Sequence, residues 1–486
     1  MKFWMSCTFS LSFSLLLAGC SSTPTLFTAY PNKMATNLHD LKQGDYPPAI
    51  QALTGEQTNH DYELYAAELG RVQQLAGDTT QSSATFLPLM QKVESDQLQA
   101  KIRGSAILAD SASLMTNDNA IPYQLNGFEI VLLYQFQALN FIADHDLTHA
   151  LVTLRKANIA QNTLSTEYQS EIAAADAKIK TNQLNPDFTT GLQKQMADTL
   201  TASAEVKSSF LNAMTYYLFA LSSEANGNLN DAVVALKQAI SITPSNTYLQ
   251  SALLEALQAQ GADPSIINNY LKAFNLKAPP QISAQSGHLV IWYDQHFIPP
   301  LKSFNVSLYL PALNQSASFA FPIYKKVSTA PIALQISLQA PGTAPAENLP
   351  STEVITNVYG LAAKQLQEEY PLIFLRQALR VTLQAGVVAS NQNSSQSNQL
   401  FADLTAAAMN FMSSFADLRS WLSLPDNTQI GSYALAPQTY TVQLKENNKK
   451  ISLQVPIQTG QTTLIWVTQY GTQFNAKILN LDQTSS

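Results

Sequence analysis

Apolar residues recur at spacings of three and four from about residue 36 to 276, as in Leu249, Leu253, Leu254 and Leu257, and this period predicts helices. The interruptions are short clusters of Gly, Asn and Asp, and they repeat. Gly44-Asp45-Tyr46 precedes Ala49 and Leu53, Gly77-Asp78 precedes Ser82 and Phe86, Asp146-Leu147 precedes Ala150 and Leu154, and Gly227-Asn228-Leu229 precedes Ala232 and Leu236. In each case a small residue is followed four positions later by a large apolar one. The small positions are 33 apart (49 to 82), then 68 apart (82 to 150), then 82 apart (150 to 232).

The first interval and half of the second match the period of about 34 residues of a tetratricopeptide repeat (TPR). The third is too long, and the Glu-, Asp-, Lys- and Ala-rich stretch at roughly 160 to 205 accounts for it as an extended helical hairpin between repeats. In the last unit Tyr216, Phe219, Ala220, Ala232, Leu236, Ala239 and Pro244 occupy the TPR signature positions, where a small residue lets two helices approach closely and the proline stops the second. Ser223 departs, standing where a tyrosine is usual. A generic antiparallel helical bundle is the competing reading, and both predict stacked helix pairs.

After Gly261 and Pro279-Pro280 the pattern shifts from helical to alternating. His288 to Tyr293, Val306 to Leu310, Ser318 to Tyr324 and Ile332 to Leu338 are expected strands. Helices are expected at 353–369, at 372–389 after a break before Pro371, and at 399–422. The final block from Ile430 to Leu479 returns to strands. The predicted fold class is therefore α+β and multidomain: a TPR-like α-solenoid over 36–276, then a mixed domain over 280–486 with a β-sandwich-like sheet and a helical insertion at about 353–422.

The N-terminus changes the picture. Lys2, an apolar run through Leu11, Phe13 and Leu15 to Leu17, and small residues before a cysteine read as a signal peptide over 1–19. The tetrad Leu17-Ala18-Gly19-Cys20 resembles the lipobox of bacterial lipoproteins. That resemblance implies acylation of Cys20, a membrane attachment through covalent lipid, a tether over 20–35 and, because Ser21 and not Asp follows, an outer-membrane, periplasm-facing location. Three acyl chains would make attachment effectively permanent, since each buried methylene contributes about 0.8 kcal/mol. The other cysteine, Cys7, lies in the expected signal, which leaves no pair for a disulfide in the mature chain.

Beyond the lipobox, the chain resembles a family of bacterial lipoproteins with TPR-like N-terminal halves. The stretches that carry this are Asn117-Asp118 with Tyr123, Leu132 to Phe141, Leu154-Arg155-Lys156-Ala157-Asn158, Phe321-Pro322-Ile323-Tyr324, and Asp417-Leu418-Arg419-Ser420-Trp421 running to Leu424-Pro425. The resemblance covers most of residues 20 to 445. It implies a role in envelope assembly, among other lipoproteins, and supplies no catalytic residues.

Composition narrows the partners. Lys and Arg number 27 against 34 Asp and Glu, a net charge of -7, so the chain carries no electrostatic footprint for nucleic acid. Chemistry is sparse. His145 and His149 share a helix face, but the zinc-protease pattern H-E-x-x-H is absent, and a solvated surface accounts for them. There is no nucleophile elbow, phosphate-binding loop or dinucleotide fingerprint, and Glu368 and Glu369 diverge by about 100° on one helix. No metal, catalytic residue or cofactor other than the lipid is expected.

The most suggestive polar cluster is Asn117, Asp118 and Tyr123 with Glu129, facing Arg155 and Asn158 one helix later; an Arg155 ion pair to Glu129 or Asp118 would hold the loop over a groove. Arg419 and Trp421 form either a packed corner or an exposed anchor of a type favoured at hot spots. The leading expectation is a membrane-anchored scaffold whose helix stack offers a groove to a protein or peptide. An envelope hydrolase or glycan-acting enzyme, and a structural subunit of an envelope or secretion complex, are the alternatives.

Overall fold

The computed structural model describes residues 28–103, 119, 121–181, 190–280, 283, 285–310, 315–325, 330–342, 346–391 and 416–481. The expected signal, Cys20 and the first part of the tether lie outside these residues, as do Asn117 and Asp118.

The chain is mixed α+β, helical first and strand-rich afterwards. The helical half comprises α1 (Tyr30–Gln43), α2 (Tyr46–Gly55), α3 (Tyr62–Leu75), α4 (Thr79–Arg103), α5 (Gly127–Ala143), α6 (Leu147–Thr181), α7 (Thr190–Ser203), α8 (Ala213–Ala225), α9 (Leu229–Ile242), α10 (Thr247–Ala259) and α11 (Pro264–Phe274). Helix α1 begins inside the stretch read as tether, burying Tyr30 and Met34. Helices pack on their neighbours in chain order except at α7: α6 packs on α5 and α8, and α6 and α7 both lie against the later helix Val358–Asn391, where a hairpin of the two on each other was expected.

One turn recurs between paired helices. A left-handed residue closes it each time: Gly44, Gly77, His145, Gly227 and Gly261 all have positive φ. His145 is the exception to glycine, and a left-handed histidine is unusual enough to mark that turn as tightly fixed. The small residues after these turns, Ala49, Ser82, Ala150 and Ala232, are completely buried, which lets the second helix of each pair lie close to the first. Gly70 illustrates the closeness: a Cβ there would stand 2.3 Å from a ring carbon of Phe86.

The strand half contains β1 (Gly287–Phe297), β2 (Lys302–Leu310), β3 (Gln315–Ile323), β4 (Gln335–Gln339), β5 (Glu347–Leu349), β6 (Glu353–Asn357), a helix α12 (Val358–Asn391), and β7 (Pro425–Leu435), β8 (Thr439–Glu446), β9 (Lys449–Pro456), β10 (Thr462–Tyr470) and β11 (Gln473–Leu481). A five-stranded sheet has the order β11-β10-β1-β7-β6; β1 runs parallel to β10 and antiparallel to β7. A four-stranded sheet has the order β5-β4-β8-β9, and β2 pairs with β3 alone.

Alternation along β1 fixes the layering, because successive side chains of a strand point to opposite faces. Trp292 and Asp294 face the helices, where Arg71 meets Asp294. Gln295 faces the second sheet, bonding Glu446 of β8, and Tyr440, Val442 and Leu444 of that strand are buried beside it. With both faces covered, Leu289 to Tyr293 form an unbroken buried run. One apolar cluster therefore runs from Tyr30 to Leu481 through helices and sheets alike.

The stretch 353–422 differs from expectation. Residues 353–357 are a strand, β6, and α12 continues through Pro371 without ending before it. A proline deletes one amide donor from the ladder, but buried Tyr370, Ile373, Phe374 and Leu375 on either side pack the helix strongly enough to carry it past that point. Residues 399–415 of the third expected helix lie outside the described ones, and 416–421 are not helical.

Candidate functional site

The sequence-selected residues converge on the seam between α3, α5 and the segment 417–424 that leads into β7. Glu68 and Glu129 sit on α3 and α5 and are both fully buried. Glu129 accepts from the amide of Trp421 (2.9 Å), the hydroxyl of Tyr123 (2.7 Å) and the amide of Asn126 (2.8 Å). The last of these belongs to a capping box that starts α5. Glu68 accepts from the next two amides of the same segment, Leu422 (2.6 Å) and Ser423 (3.1 Å), and from the hydroxyl of Tyr30 (3.1 Å). Two carboxylates on first helices of successive pairs thus hold three consecutive amides of one extended segment.

Its side chains are seated as well. Trp421 is completely buried, its ring edge-on to Phe86 and Phe136 with centroids at 6.2 and 6.1 Å, and its indole N–H donates to Ser423 (2.9 Å). Arg419 donates to Asp61 (2.6 Å) and to the carbonyl of Ile121 (2.8 Å), is gripped from below by Asp417 (2.6 Å), and lies over the ring of Tyr123. Of the two readings of Arg419 and Trp421, this geometry is the packed corner; an exposed anchor would need an accessible indole.

The other expected contacts are elsewhere. Arg155 does not reach Glu129. It points along the outside of the stack to Asp231 of α9 (3.3 Å), over the ring of Phe219, because the seam is closed by α5 and 417–424 before an α6 side chain can enter it. Asn158 accepts only a long bond from Gln161 (3.4 Å) within its own helix. His149 is exposed and bonds Asp146 (2.6 Å), the solvated role expected of it. Glu368 departs from its expected solvated role, accepting from Ser209 (2.7 Å) in the link from α7 to α8.

Residues the sequence reading passed over complete the seam. Arg71 and Asp294 form a fully buried ion pair at 3.0 Å, and Arg71 also donates to Gln74 (2.6 Å) and Tyr470 (2.9 Å). The signal was present: Glu68 and Arg71 interrupt the apolar face of α3, and Asp294 ends the run Leu-Val-Ile-Trp-Tyr of β1. A charge at a core position demands a partner.

Electrostatically the seam is closed. Burial pushes the carboxyls of Glu68 and Glu129 up to about 7, despite the amides they accept from. Glu68, Glu129, Arg71 and Asp294 are shut away from water, and here they hold chain in place. A separate cavity of about 610 Å³ lies where α7 and α9 meet β6; Asp198, Glu205, Asp426 and Tyr359 line it. Asp426 is pushed up to about 6 by burial and by the charge of Glu205, and Glu205 accepts from Asn357 (2.6 Å). Among the described residues no group of three or more His, Cys, Asp and Glu could hold a metal ion, and no helix is long and apolar enough to cross a membrane.

No family model matches the chain, and no curated protein matches it.

Proposed function

We propose that the chain is a lipid-anchored binding protein of a bacterial envelope, attached to the outer membrane through Cys20 and built on a TPR-like stack of helix pairs. The observation that carries this reading is the seating of residues 417–424. Carboxylates on α3 and α5 take the main-chain amides of an extended segment, and an aromatic socket takes its tryptophan, which is how a helix-repeat groove receives a peptide. The guest is the chain itself. The inner groove is therefore spent on holding the sheet, and the surface left for a protein partner is the outer row α4, α6 and α9, where Ile159 is 62% and Val234 60% exposed.

Attachment and binding are tested separately. Growth with an alkynyl fatty acid should label the wild-type chain and place it in the membrane fraction, while Cys20→Ser should lose both label and membrane. A photocrosslinking amino acid at Ile159 or Val234 should join the lipidated protein to one defined envelope partner, and the same group at Leu422 should join it to none. Absence of label would end the anchoring reading, and absence of any adduct from the outer row would end the scaffold reading.

A further inference from the structure

A cavity of about 1070 Å³ opens where the C-terminal ends of α8 and α10 meet the starts of β1 and β10. It lies just above the usual size range of small-molecule sites, roughly 300–1,000 Å³, and so has room for one. Its walls are apolar along Leu221, Ala225, Ala252, Ala256 and Pro279, and among the described residues no Lys or Arg lines it. Two carboxylates face it, Glu224 of α8 and Glu255 of α10, and neither makes a hydrogen bond or ion pair with a described residue.

A third group points the same way. Tyr217 lies two turns before Glu224 on α8 and lines the same cavity; it is fully buried, and its hydroxyl has no hydrogen-bond partner. Ser432 of β7 is the polar side chain beside it. Buried polar groups are almost always satisfied, so a buried hydroxyl without a protein partner beside two unpaired carboxylates sets three polar groups on one cavity wall that a ligand can engage. His288, the remaining titratable group on the wall, is kept neutral by burial, which lowers its pKa from 6.5.

We propose that this cavity binds a small organic cation, an amine or guanidine on a hydrocarbon body, with Glu224 and Glu255 facing its charge and Tyr217 accepting one of its hydrogen bonds. A metal ion fits less well, since no third acidic or histidine ligand joins the pair, and an anion would be repelled. The body of the ligand would lie along the alanine-rich walls of α8 and α10. Glu224 is pushed up to about 8, by burial first and by the charge of Glu255 second, and Glu255 up to about 7 by burial.

The test uses the full chain, with n-hexylamine as probe and hexanoate and calcium chloride as controls, followed by calorimetry and thermal shift at pH 8 and pH 6. Hexylamine should bind saturably at pH 8, several-fold more weakly at pH 6, and hexanoate not at all. Glu224→Gln and Glu255→Gln should each abolish the hexylamine shift while raising the melting temperature of the ligand-free protein, because each removes an unpartnered charge. Tyr217→Phe should weaken binding without lowering stability. The proposal is overturned if hexylamine gives no saturable signal, if hexanoate binds equally, if calcium and not hexylamine stabilises the protein, or if both glutamine variants bind as the wild type does.

Discussion

Arg71 and Asp294, 223 positions apart in the chain, meet at 3.0 Å with neither side chain exposed to water. Arg71 also lies 3.8 Å above the ring of Phe136, and Asp294 accepts from the indoles of Trp292 (2.8 Å) and Trp466 (3.0 Å) and the hydroxyl of Thr428 (2.8 Å). One ion pair thereby ties α3 to β1, β7 and β10. The carboxylate's lone pairs are fully used, whereas the Nε–H of Arg71 is buried without a partner, so the pair offsets its desolvation only in part.

Removing one member leaves the other charge buried and uncompensated, a loss of about 3–5 kcal/mol. Arg71→Met is expected to destabilise by that amount in urea unfolding. Asp294→Asn introduced on top of Arg71→Met should cost far less than Asp294→Asn alone, because the pair acts as a unit. Additive losses in the double-mutant cycle would show that the two groups are held independently.

The pH dependence has a definite sign. Glu68, Glu129 and Glu255 are pushed up to about 7 and Glu224 to about 8, chiefly by burial, from the ordinary 4.5. A carboxyl with a raised folded pKa binds more protons folded than unfolded, so its stabilisation is complete below about 4.5 and is lost as pH rises through the folded pKa. His288 and His296, lowered by burial from 6.5, act oppositely and lose their contribution below that value. Above pH 6.5 the carboxyls dominate. Tm should therefore fall between pH 6.5 and about 8.5, and Glu224→Gln should make the fall smaller; a Tm that is flat or rising over this window contradicts the assignment.

Much of the helical half was legible because its signals are local. A left-handed turn residue and a small residue a few positions later recur at Gly44 and Ala49, Gly77 and Ser82, and Gly227 and Ala232, and each pair is set by contacts within some 30 residues. The seam was only half legible. Tyr123, Glu129, Arg419 and Trp421 were singled out and do converge, but Glu68, Arg71 and Asp294 find their partners hundreds of positions away, where no period in the sequence reaches. Arg155 was assigned inward because it shares a repeat with Glu129; the segment 417–424 occupies that space, a long-range fact. Pro371 was read as a helix break from a local rule that tertiary packing overrides.

Helix approach predicts a third outcome. Gly70→Ala places a methyl 2.3 Å from Phe86, and such overpacking costs about 1–3 kcal/mol. Phe86→Leu in the same chain should recover part of that loss by giving the methyl room. If Gly70→Ala unfolds at the wild-type urea concentration, α3 and α4 are not in the contact described.

Trp421 and Arg155 were both candidates for a partner surface, and their surroundings assign them opposite responses. The indole of Trp421 fills a socket between Phe86 and Phe136 with no exposure, so Trp421→Ala should cost about 3–5 kcal/mol, as large aromatic truncations in cores do. Arg155 pairs with Asp231 where both side chains are 40% or more exposed, and such pairs are worth about 0–1 kcal/mol. Arg155→Ala should leave Tm nearly unchanged. Because Arg155 sits between Val152 and Ile159 on the outer row, its loss should still weaken capture of the partner proposed for that surface. Measured side by side, melting and capture separate the two roles: a stable Trp421→Ala protein, or an Arg155→Ala protein that melts early, would mean that the stack is built the other way round, with the tryptophan outside and the arginine in the seam.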